Sequence, residues 1–261
     1  MQALAWKRRL GALWGMFAWR RPRKVILLYH SLGANPPAVT ANRFRQQIAW
    51  LAKNASIVPL DDLLKSTSAG GLQVAITFDD GYASLHDTVA PILAKYGATA
   101  TVYLNTGRIG DSARKASEAS LGHYPDEHFL TWSEVDALVK AGWSIGSHGV
   151  EHLDLTQAQA PMVVRELRES KSEIQSRLGR PCEHFAYTWG RFTPALQGMV
   201  RAAGYASAVS GLHGPVTSAS DRFALPRIDV RAEYELRDFV DVVTGRWDYL
   251  GFKQWLARRL A

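Results

Sequence analysis

The sequence predicts an α/β fold in which parallel strands alternate with helices. Short β-branched apolar runs alternate with longer segments that show helical periodicity. Acids and histidines follow directly after two of these runs, at the strand ends where α/β active sites collect. A chain of 261 residues with 47% hydrophobic content is also long enough for one large core. A closed α/β barrel therefore fits the length without division into further domains.

The first half of the chain contains three predicted strands and two predicted helices. They are the strand 25–29, the helix 40–53, the strand 74–78, the helix 84–96 and the strand 100–104. Thr40 is a suitable N-cap for the first helix, in which Phe44, Ile48 and Leu51 recur at the spacing of one buried face. This spacing indicates core packing.

The second half continues the alternation. Its predicted elements are a capped helix from 131 to 142, the strand 143–147, the helix 161–178, the strand 184–186, the helix 193–203, the strand 206–209 and two helical pieces within 235–260. This order predicts right-handed parallel units with the chemistry at one rim. The polar segment 107–129 follows a strand, and we expect it to form a lid or a substrate wall.

Asp79 and Asp80 end the apolar run 74–78, and Gly81 supplies the turn after it. Asp-Asp-Gly is also a common turn sequence, so the pair alone is weak evidence of a site. Two adjacent carboxylates nevertheless repel each other unless a cation or a shared proton relieves the repulsion. A bound metal ion is the simplest form of that relief.

His148 and His152 follow the strand-like run 143–147. If the four-residue spacing is wound as one turn, both imidazoles face the same way and can bind one ion. A set of two histidines and one carboxylate leaves positions open for water and substrate, as in catalytic zinc sites. Glu151 is either an outer partner of this set or a solvated surface acid. The pattern predicts a metal-dependent hydrolase.

These residues resemble the polysaccharide deacetylase family, also called the NodB-homology or carbohydrate esterase family 4 domain. Similar segments are 28–31, 44–51, 91–104, 130–132, 185–190 and 225–228, so the resemblance covers about residues 25 to 230. It implies a distorted, incomplete (β/α) barrel of about seven parallel strands. It also implies hydrolysis of N-acetyl groups from the amino sugars of a polysaccharide or lipid-linked glycan.

By this resemblance Asp79 is the catalytic base, while Asp80, His148 and His152 hold a divalent metal ion. Zn²⁺ is the expected ion, with Co²⁺ and Ni²⁺ as alternatives. Hydrolysis of another amide, such as an N-formyl sugar, and a non-catalytic glycan-binding role are the alternative functions.

The third motif of the family resembles residues 185–190 here. Many members carry an arginine and two prolines where this chain has Ala186, Tyr187 and Thr188. The resemblance assigns the backbone N–H of Trp189 to the oxyanion. We expect the side chains of Tyr187 and Trp189 to bind substrate.

Amide hydrolysis also needs a general acid, because the amine must leave protonated. A clear late Leu-x-x-His segment, the usual source of that acid, is not found in this sequence. His30, at the end of the first predicted strand, is the first candidate and His213 the second; His30 could instead be a structural histidine. Arg227, with Asp229 two positions later, either orients the catalytic base or forms a plain strand-edge salt bridge.

The basic excess of the chain is concentrated near its beginning. The net charge is +7, and residues 1–60 contain ten Lys or Arg and no acid. We expect a basic, Trp-containing arm at 1–24, followed by a catalytic domain at 25–261 that includes the C-terminal helices. A nucleic-acid partner is not expected, because no recognised binding motif accompanies the charge. Cys182 is the single cysteine, so no internal disulfide is predicted.

Basic residues flank the apolar stretch 10–19 within this arm. Ten residues are too few to cross the hydrocarbon region, which requires about 20. Basic residues also stand where a signal peptide would have its cleavage site. The pattern favours an interfacial helix on an anionic membrane surface over a solvated basic arm. We expect a bacterial-type peripheral membrane protein, with the cytoplasmic face favoured.

Overall fold

Parallel strands form one sheet across the chain in the computed structural model, which describes residues 2–14, 22–34, 37–66, 70–112 and 127–260. Within these ranges the strand order is β7-β6-β5-β4-β3-β1-β8, and β2 pairs with β3 beside this path. The strands are β1 (Arg23–Tyr29), β2 (Ser56–Ile57), β3 (Leu72–Phe78), β4 (Thr101–Leu104), β5 (Ser144–Ser147), β6 (His184–Ala186), β7 (Ser207–Val209) and β8 (Ile228–Asp229). The seven parallel strands of this path, with the helices, form an incomplete (β/α) barrel, so the predicted fold is confirmed.

The described helices connect these strands and cover the sheet. They are α1 (Gln2–Trp14), α2 (Ala41–Asn54), α3 (Leu60–Lys65), α4 (Ala90–Ala94), α5 (Trp132–Lys140), α6 (Ala160–Leu178), α7 (Pro194–Ala202), α8 (Leu236–Val243) and α9 (Tyr249–Leu260). Thr40 and Thr131 cap α2 and α5 as predicted, each accepting a backbone N–H through its side chain. The predicted helix 84–96 differs, because a π-helical turn at Leu85–Val89 precedes α4.

Strand alternation decides which residues face the inside of the barrel. Ile26 of β1, Ala75 of β3, Tyr103 of β4 and Ala186 of β6 belong to a small inner cluster. Their strand neighbours, such as Leu27, pack in the main core with the helices. Continuing the same period of two beyond Ile26 and Ala75 puts His30 and Asp79 on the inner side at the ends of their strands.

Helix α1 packs against the C-terminal helices. Arg8 forms an ion pair of 2.7 Å with Asp238 of α8, and the Lys7 ammonium lies 5.7 Å from the ring centroid of Trp247. Gly11 also lies against Trp247, where an added Cβ would stand 2.5 Å from the indole ring. Strand β1 begins at Arg23, two residues inside the predicted arm. The division of the chain at residue 24 stays a prediction.

Two predicted features lie partly outside the described residues. Residues 113–126, the greater part of the expected lid, are not described, and neither are residues 15–21 of the arm. Among the helices that are described, none combines the length and the apolar character needed to span a bilayer.

Candidate active site

A cleft of about 640 Å³ opens at the carboxyl ends of the strands. The parallel pairing of β1, β3, β4 and β5 brings these ends to one edge. The predicted site residues on its lining are His30, Asp79, Asp80, His148, His152, Trp189 and Arg227. The sequence-based prediction that two remote segments meet at one rim is therefore consistent with the fold.

Asp79 is held by Arg227 in a buried, two-pronged ion pair. The guanidinium donates from Nη1 to Oδ1 at 2.7 Å and from Nη2 to Oδ2 at 2.8 Å, and its Nε donates to the carbonyl of Ser210. Burial alone would raise the pKa of Asp79, but the charge and hydrogen bonds of Arg227, together with the nearby His148 and His30, outweigh it and lower the pKa to about 2. Asp79 is therefore ionised at neutral pH and fixed in orientation.

Arg227 thus pairs with the predicted base. Asp229, the other acid near it in sequence, forms its ion pair with Arg231 at 3.0 Å. Arg227 therefore pairs with Asp79 and not with Asp229, and its role in orienting a catalytic base stays a prediction.

Asp80 faces the two histidines. Its Oδ1 lies 3.6 Å from Nε2 of His148 and 3.3 Å from Nε2 of His152, and one ligand atom from each of the three residues lies within 4.8 Å of the others. Nδ1 of His148 is 2.8 Å from the carbonyl oxygen of Ala186, to which it donates. This bond leaves the lone pair of His148 on Nε2, the atom that faces Asp80. Burial lowers the pKa of His148 to about 4, so its imidazole is neutral at pH 7.

The histidines converge through a loop. Residues 148–152 are not helical, so the conditional prediction of one helical turn is wrong. Gly149 has a φ of 84° and His152 a φ of 57°. Two left-handed residues reverse the chain within five positions, and this turn brings the second imidazole back to the first.

Backbone strain concentrates at this cleft. Within the described residues, the non-glycine positions with a left-handed φ are Asp80, His152 and Trp189. Each such conformation costs on the order of 1–2 kcal/mol for a residue with a Cβ. All three residues line the same cleft, and left-handed strain of this kind clusters at functional sites.

Two residues that the sequence analysis did not identify support the candidate metal site. Glu166 of α6 is fully buried, and its Oε2 accepts the backbone N–H groups of Val150 and Glu151 at 2.7 and 3.0 Å. Asn105 donates from Nδ2 to Oδ1 of Asp80 at 3.2 Å. A signal for Glu166 was present, because this acid interrupts the apolar stripe of an amphipathic helix.

The loop after β6 presents Trp189 to the cleft. Its indole is 48% exposed and its ring centroid lies 4.9 Å from that of His152. The predicted substrate contact by the Tyr187 side chain is wrong. This side chain is buried, packs between Phe185 and Phe192, and donates its hydroxyl to the carbonyl of Phe223.

The two candidates for the general acid lie in different places. His30 follows β1 and lines the cleft beside Asp79. His213 is not among the residues that line the cleft; it lies against Gly251 of α9, and its backbone N–H donates to Gln254. Burial lowers the pKa of His213 to about 4. The structure therefore removes His213 from consideration. Glu151 lies 3.4 Å from Arg108 in an ion pair, outside the set of three ligands.

The donor set fits a divalent cation. Two imidazoles and one carboxylate converge, the tautomer of His148 is fixed by a backbone carbonyl, and Asp80 forms no ion pair with a Lys or Arg of the described chain. Such a nitrogen and oxygen set suits Zn²⁺ and several related ions.

The chain belongs to the polysaccharide deacetylase family, whose model matches residues 67–208. The protein YxkH of Bacillus subtilis (strain 168) is 28% identical over 221 residues, which are 80% of this chain and 72% of YxkH. The poly-beta-1,6-N-acetyl-D-glucosamine N-deacetylase of Staphylococcus aureus (strain MRSA252) is 22% identical over 81% of this chain and 72% of its own length. The chain is therefore a relative of known polysaccharide deacetylases.

Solved structures share the fold. The Streptococcus pyogenes deacetylase PplD, in complex with acetate, has a TM-score of 0.72 at 22% identity and covers 85% of this chain and 98% of PplD. IcaB from Ammonifex degensii has a TM-score of 0.72 at 20% identity and covers 87% of this chain and 97% of IcaB. The incomplete barrel is thus the fold of known deacetylases.

Proposed function

We propose that this protein is a metal-dependent hydrolase that removes N-acetyl groups from the amino sugars of a polysaccharide or lipid-linked glycan. The observation that carries the proposal is the unequal treatment of two adjacent acids: Asp79 has a buried arginine as its partner, whereas Asp80 faces the Nε2 atoms of two histidines. Membership in the polysaccharide deacetylase family supports the substrate class.

Asp80, His148 and His152 would hold the ion. A divalent ion bound there supplies a Lewis acid for the amide carbonyl and for the attacking water. Asp79, whose carboxylate is not needed as a ligand, accepts the proton of that water. A carboxylate with a pKa of about 2 is a weak base, so its contribution rests on its fixed position beside the reacting atoms.

The remaining two roles fall to two other residues on the lining of the cleft. The backbone N–H of Trp189 donates to the oxyanion, a kind of contact worth about 3 kcal/mol in other hydrolases. His30, on the wall formed by the end of β1, donates a proton to the leaving amine. The exposed indole of Trp189 offers a flat apolar surface for a sugar ring.

Acetate release tests this proposal. Purified protein with Zn²⁺ or Co²⁺ and a panel of N-acetylated saccharides should release acetate, and a chelator should stop the release. Release of formate from N-formyl sugars, without release of acetate from N-acetyl sugars, would show that the substrate carries a formyl group and not an acetyl group. Glycan binding without any hydrolysis in the metal-loaded protein would favour a non-catalytic role and overturn the proposal.

We further propose that α1 attaches the protein to an anionic membrane surface as a peripheral protein, with the cytoplasmic face favoured. Trp6 is 64% exposed, and Leu10 follows it one helical turn later on the same outer face. Lys7 and Arg8 of the same helix are engaged with the C-terminal helices, which would hold that face outward. Sedimentation with vesicles that contain phosphatidylserine should carry the protein down, and the variant with Trp6→Ser and Leu10→Ser should stay in solution.

A further inference from the structure

A second group of potential ligands lies at the opposite edge of the sheet from the cleft. It consists of Asp61 on α3 and Glu183 and His184 at the start of β6, and one ligand atom from each lies within 4.8 Å of the others. A cavity of about 360 Å³ opens beside these residues and is also lined by Ser144, the first residue of β5. In the parallel register Phe185 pairs with Ser147, so His184 lies level with Gly146, two residues or about 7 Å along β5 before His148 of the cleft.

His184 is prepared to act as a ligand. It is 3% exposed, and its Nδ1 lies 2.8 Å from the hydroxyl of Ser207. When Nδ1–H donates to that hydroxyl, the lone pair lies on Nε2. Nε2 is 3.3 Å from Oδ1 of Asp61 and makes no well-aligned hydrogen bond within the described chain. A buried nitrogen with an unsatisfied lone pair is costly unless an ion or a water molecule occupies the space before it.

The charges of the group favour a cation, although Glu183 is exposed and Asp61 half-buried. Asp61 and Glu183 each carry a negative charge, and a neutral His184 contributes none. Arg180 also lines the cavity but forms no ion pair with either acid among the described residues. A divalent ion would neutralise the charge of both carboxylates and would accept the lone pair of Nε2 of His184.

We propose that Asp61, Glu183 and His184 form a second divalent-cation site, with Zn²⁺ as the preferred ion. The site joins α3 to the start of β6, at the face of the barrel where residues contribute to stability and not to chemistry. It is therefore a structural site, distinct from the cleft. This proposal does not depend on the proposed function.

Zinc stoichiometry tests the second site directly. After chelator treatment, dialysis against Zn²⁺ and elemental analysis, the wild-type chain should hold two equivalents, and Asp61→Asn should hold one. Asp62→Asn, which removes the same charge from the next position of α3, should still hold two. Asp61 is only half-buried, so its isosteric replacement should leave the fold intact, as circular dichroism would verify.

The variant Asp80→Asn separates this proposal from the catalytic one. It should retain one equivalent and a zinc-dependent rise in melting temperature, and the double variant with Asp61→Asn should lose both. If Asp61→Asn binds as much zinc as the wild-type chain, the second site is refuted. If Asp80→Asn retains one equivalent that Asp61→Asn then removes, the second site stands even where the cleft itself binds no ion.

Discussion

The cleft has two halves that treat neighbouring carboxylates differently. On one side, Asp79 receives two hydrogen bonds from the guanidinium of Arg227, so the protein itself neutralises its charge. On the other side, Asp80 faces His148 and His152, both of which present Nε2 to the same oxygen. The first half is electrostatically complete, whereas the second half would become complete if a cation bound there, as proposed.

The local backbone explains why the adjacent aspartates Asp79 and Asp80 have different partners. The strand period sends Asp79 to the inner face, toward Arg227, while the left-handed backbone at Asp80 turns the next carboxylate toward the histidines. A carboxylate that is already paired is a poor metal ligand, because binding an ion would break two charge-assisted hydrogen bonds. Asp80, which has no Arg or Lys partner within the described chain, is the better ligand.

Replacing one carboxylate at a time should separate the loss of catalysis from the loss of zinc binding. Asp79→Asn should lower kcat by about 10²–10⁴-fold, the usual contribution of a general base, and should leave zinc binding in the cleft intact. Asp80→Asn should abolish zinc binding in the cleft. Its loss of zinc affinity should exceed the roughly 10–100-fold loss that follows removal of a residue hydrogen-bonded to a metal ligand. Deacetylation kinetics and elemental analysis of the two variants provide the measurement.

Asp229→Asn is the matched control, because Asp229 lines the same cleft but pairs with Arg231. It should change both quantities far less than the other two variants. The comparison fails if Asp79→Asn loses zinc while Asp80→Asn keeps it.

Glu166→Gln tests whether Glu166 holds the loop that carries His152 in the position needed for zinc binding. Its carboxylate accepts two backbone N–H groups of the loop that carries His152, and a neutral amide accepts them more weakly. We expect zinc affinity in the cleft to fall by about 10–100-fold, as for other outer partners of metal ligands. Glu169→Gln on the exposed face of α6 should leave the affinity unchanged, and an equal loss in both variants would show that the effect belongs to the helix as a whole.

Arg227→Met tests the paired half through the pH dependence of stability, measured by urea unfolding with a chelator present. In the wild-type chain the pKa of Asp79 falls from 3.8 to about 2 on folding. The unfolded state therefore binds more protons, and about 2 kcal/mol of stability present above pH 4 is lost as the pH falls toward 2.

Without Arg227, burial raises the pKa of Asp79 above its unfolded value. The sign of this group's contribution then reverses, and the variant gains stability relative to the wild-type chain as the pH falls from 7 toward 4. Parallel pH profiles for the two proteins would show that Arg227 does not control the charge of Asp79.

Trp189→Gly should give the smallest effect on stability. Glycine adopts the left-handed backbone without strain, so the free energy of unfolding should rise by about 1 kcal/mol. The KM for a glycan substrate should rise at the same time, because the exposed ring is lost. Trp189→Ala removes the ring but keeps the strain, so it should raise KM without stabilising the protein. A glycine variant no more stable than the alanine variant would count against backbone strain at this position.

The sequence predicted the framework of this site better than its details. Strand and helix periodicity placed Asp79, Asp80 and His148 at strand ends, and the strands β3 and β5 do end directly before them. These features are local, since hydrophobic period and capping residues determine them.

Details that depend on tertiary contacts were not accessible in the same way. The partner of Arg227 is 148 positions away, and the acceptor role of Glu166 depends on how α6 packs against the loop. Tyr187 lies two positions before Trp189 in the sequence, yet strand alternation turns its ring away from the cleft. The four-residue spacing of His148 and His152 suits a helical turn as well as a loop, and the positive φ of Gly149 accompanies the loop.

A structure of the zinc-loaded protein, with anomalous scattering to locate the ions, tests the central claim most directly. We expect an ion in the cleft at about 2.0–2.2 Å from Nε2 of His148, Nε2 of His152 and an oxygen of Asp80. Asp79 should remain paired with Arg227 and stand outside the coordination sphere. An ion coordinated by Asp79, or a zinc-saturated protein without an ion between Asp80 and the two histidines, would contradict the account.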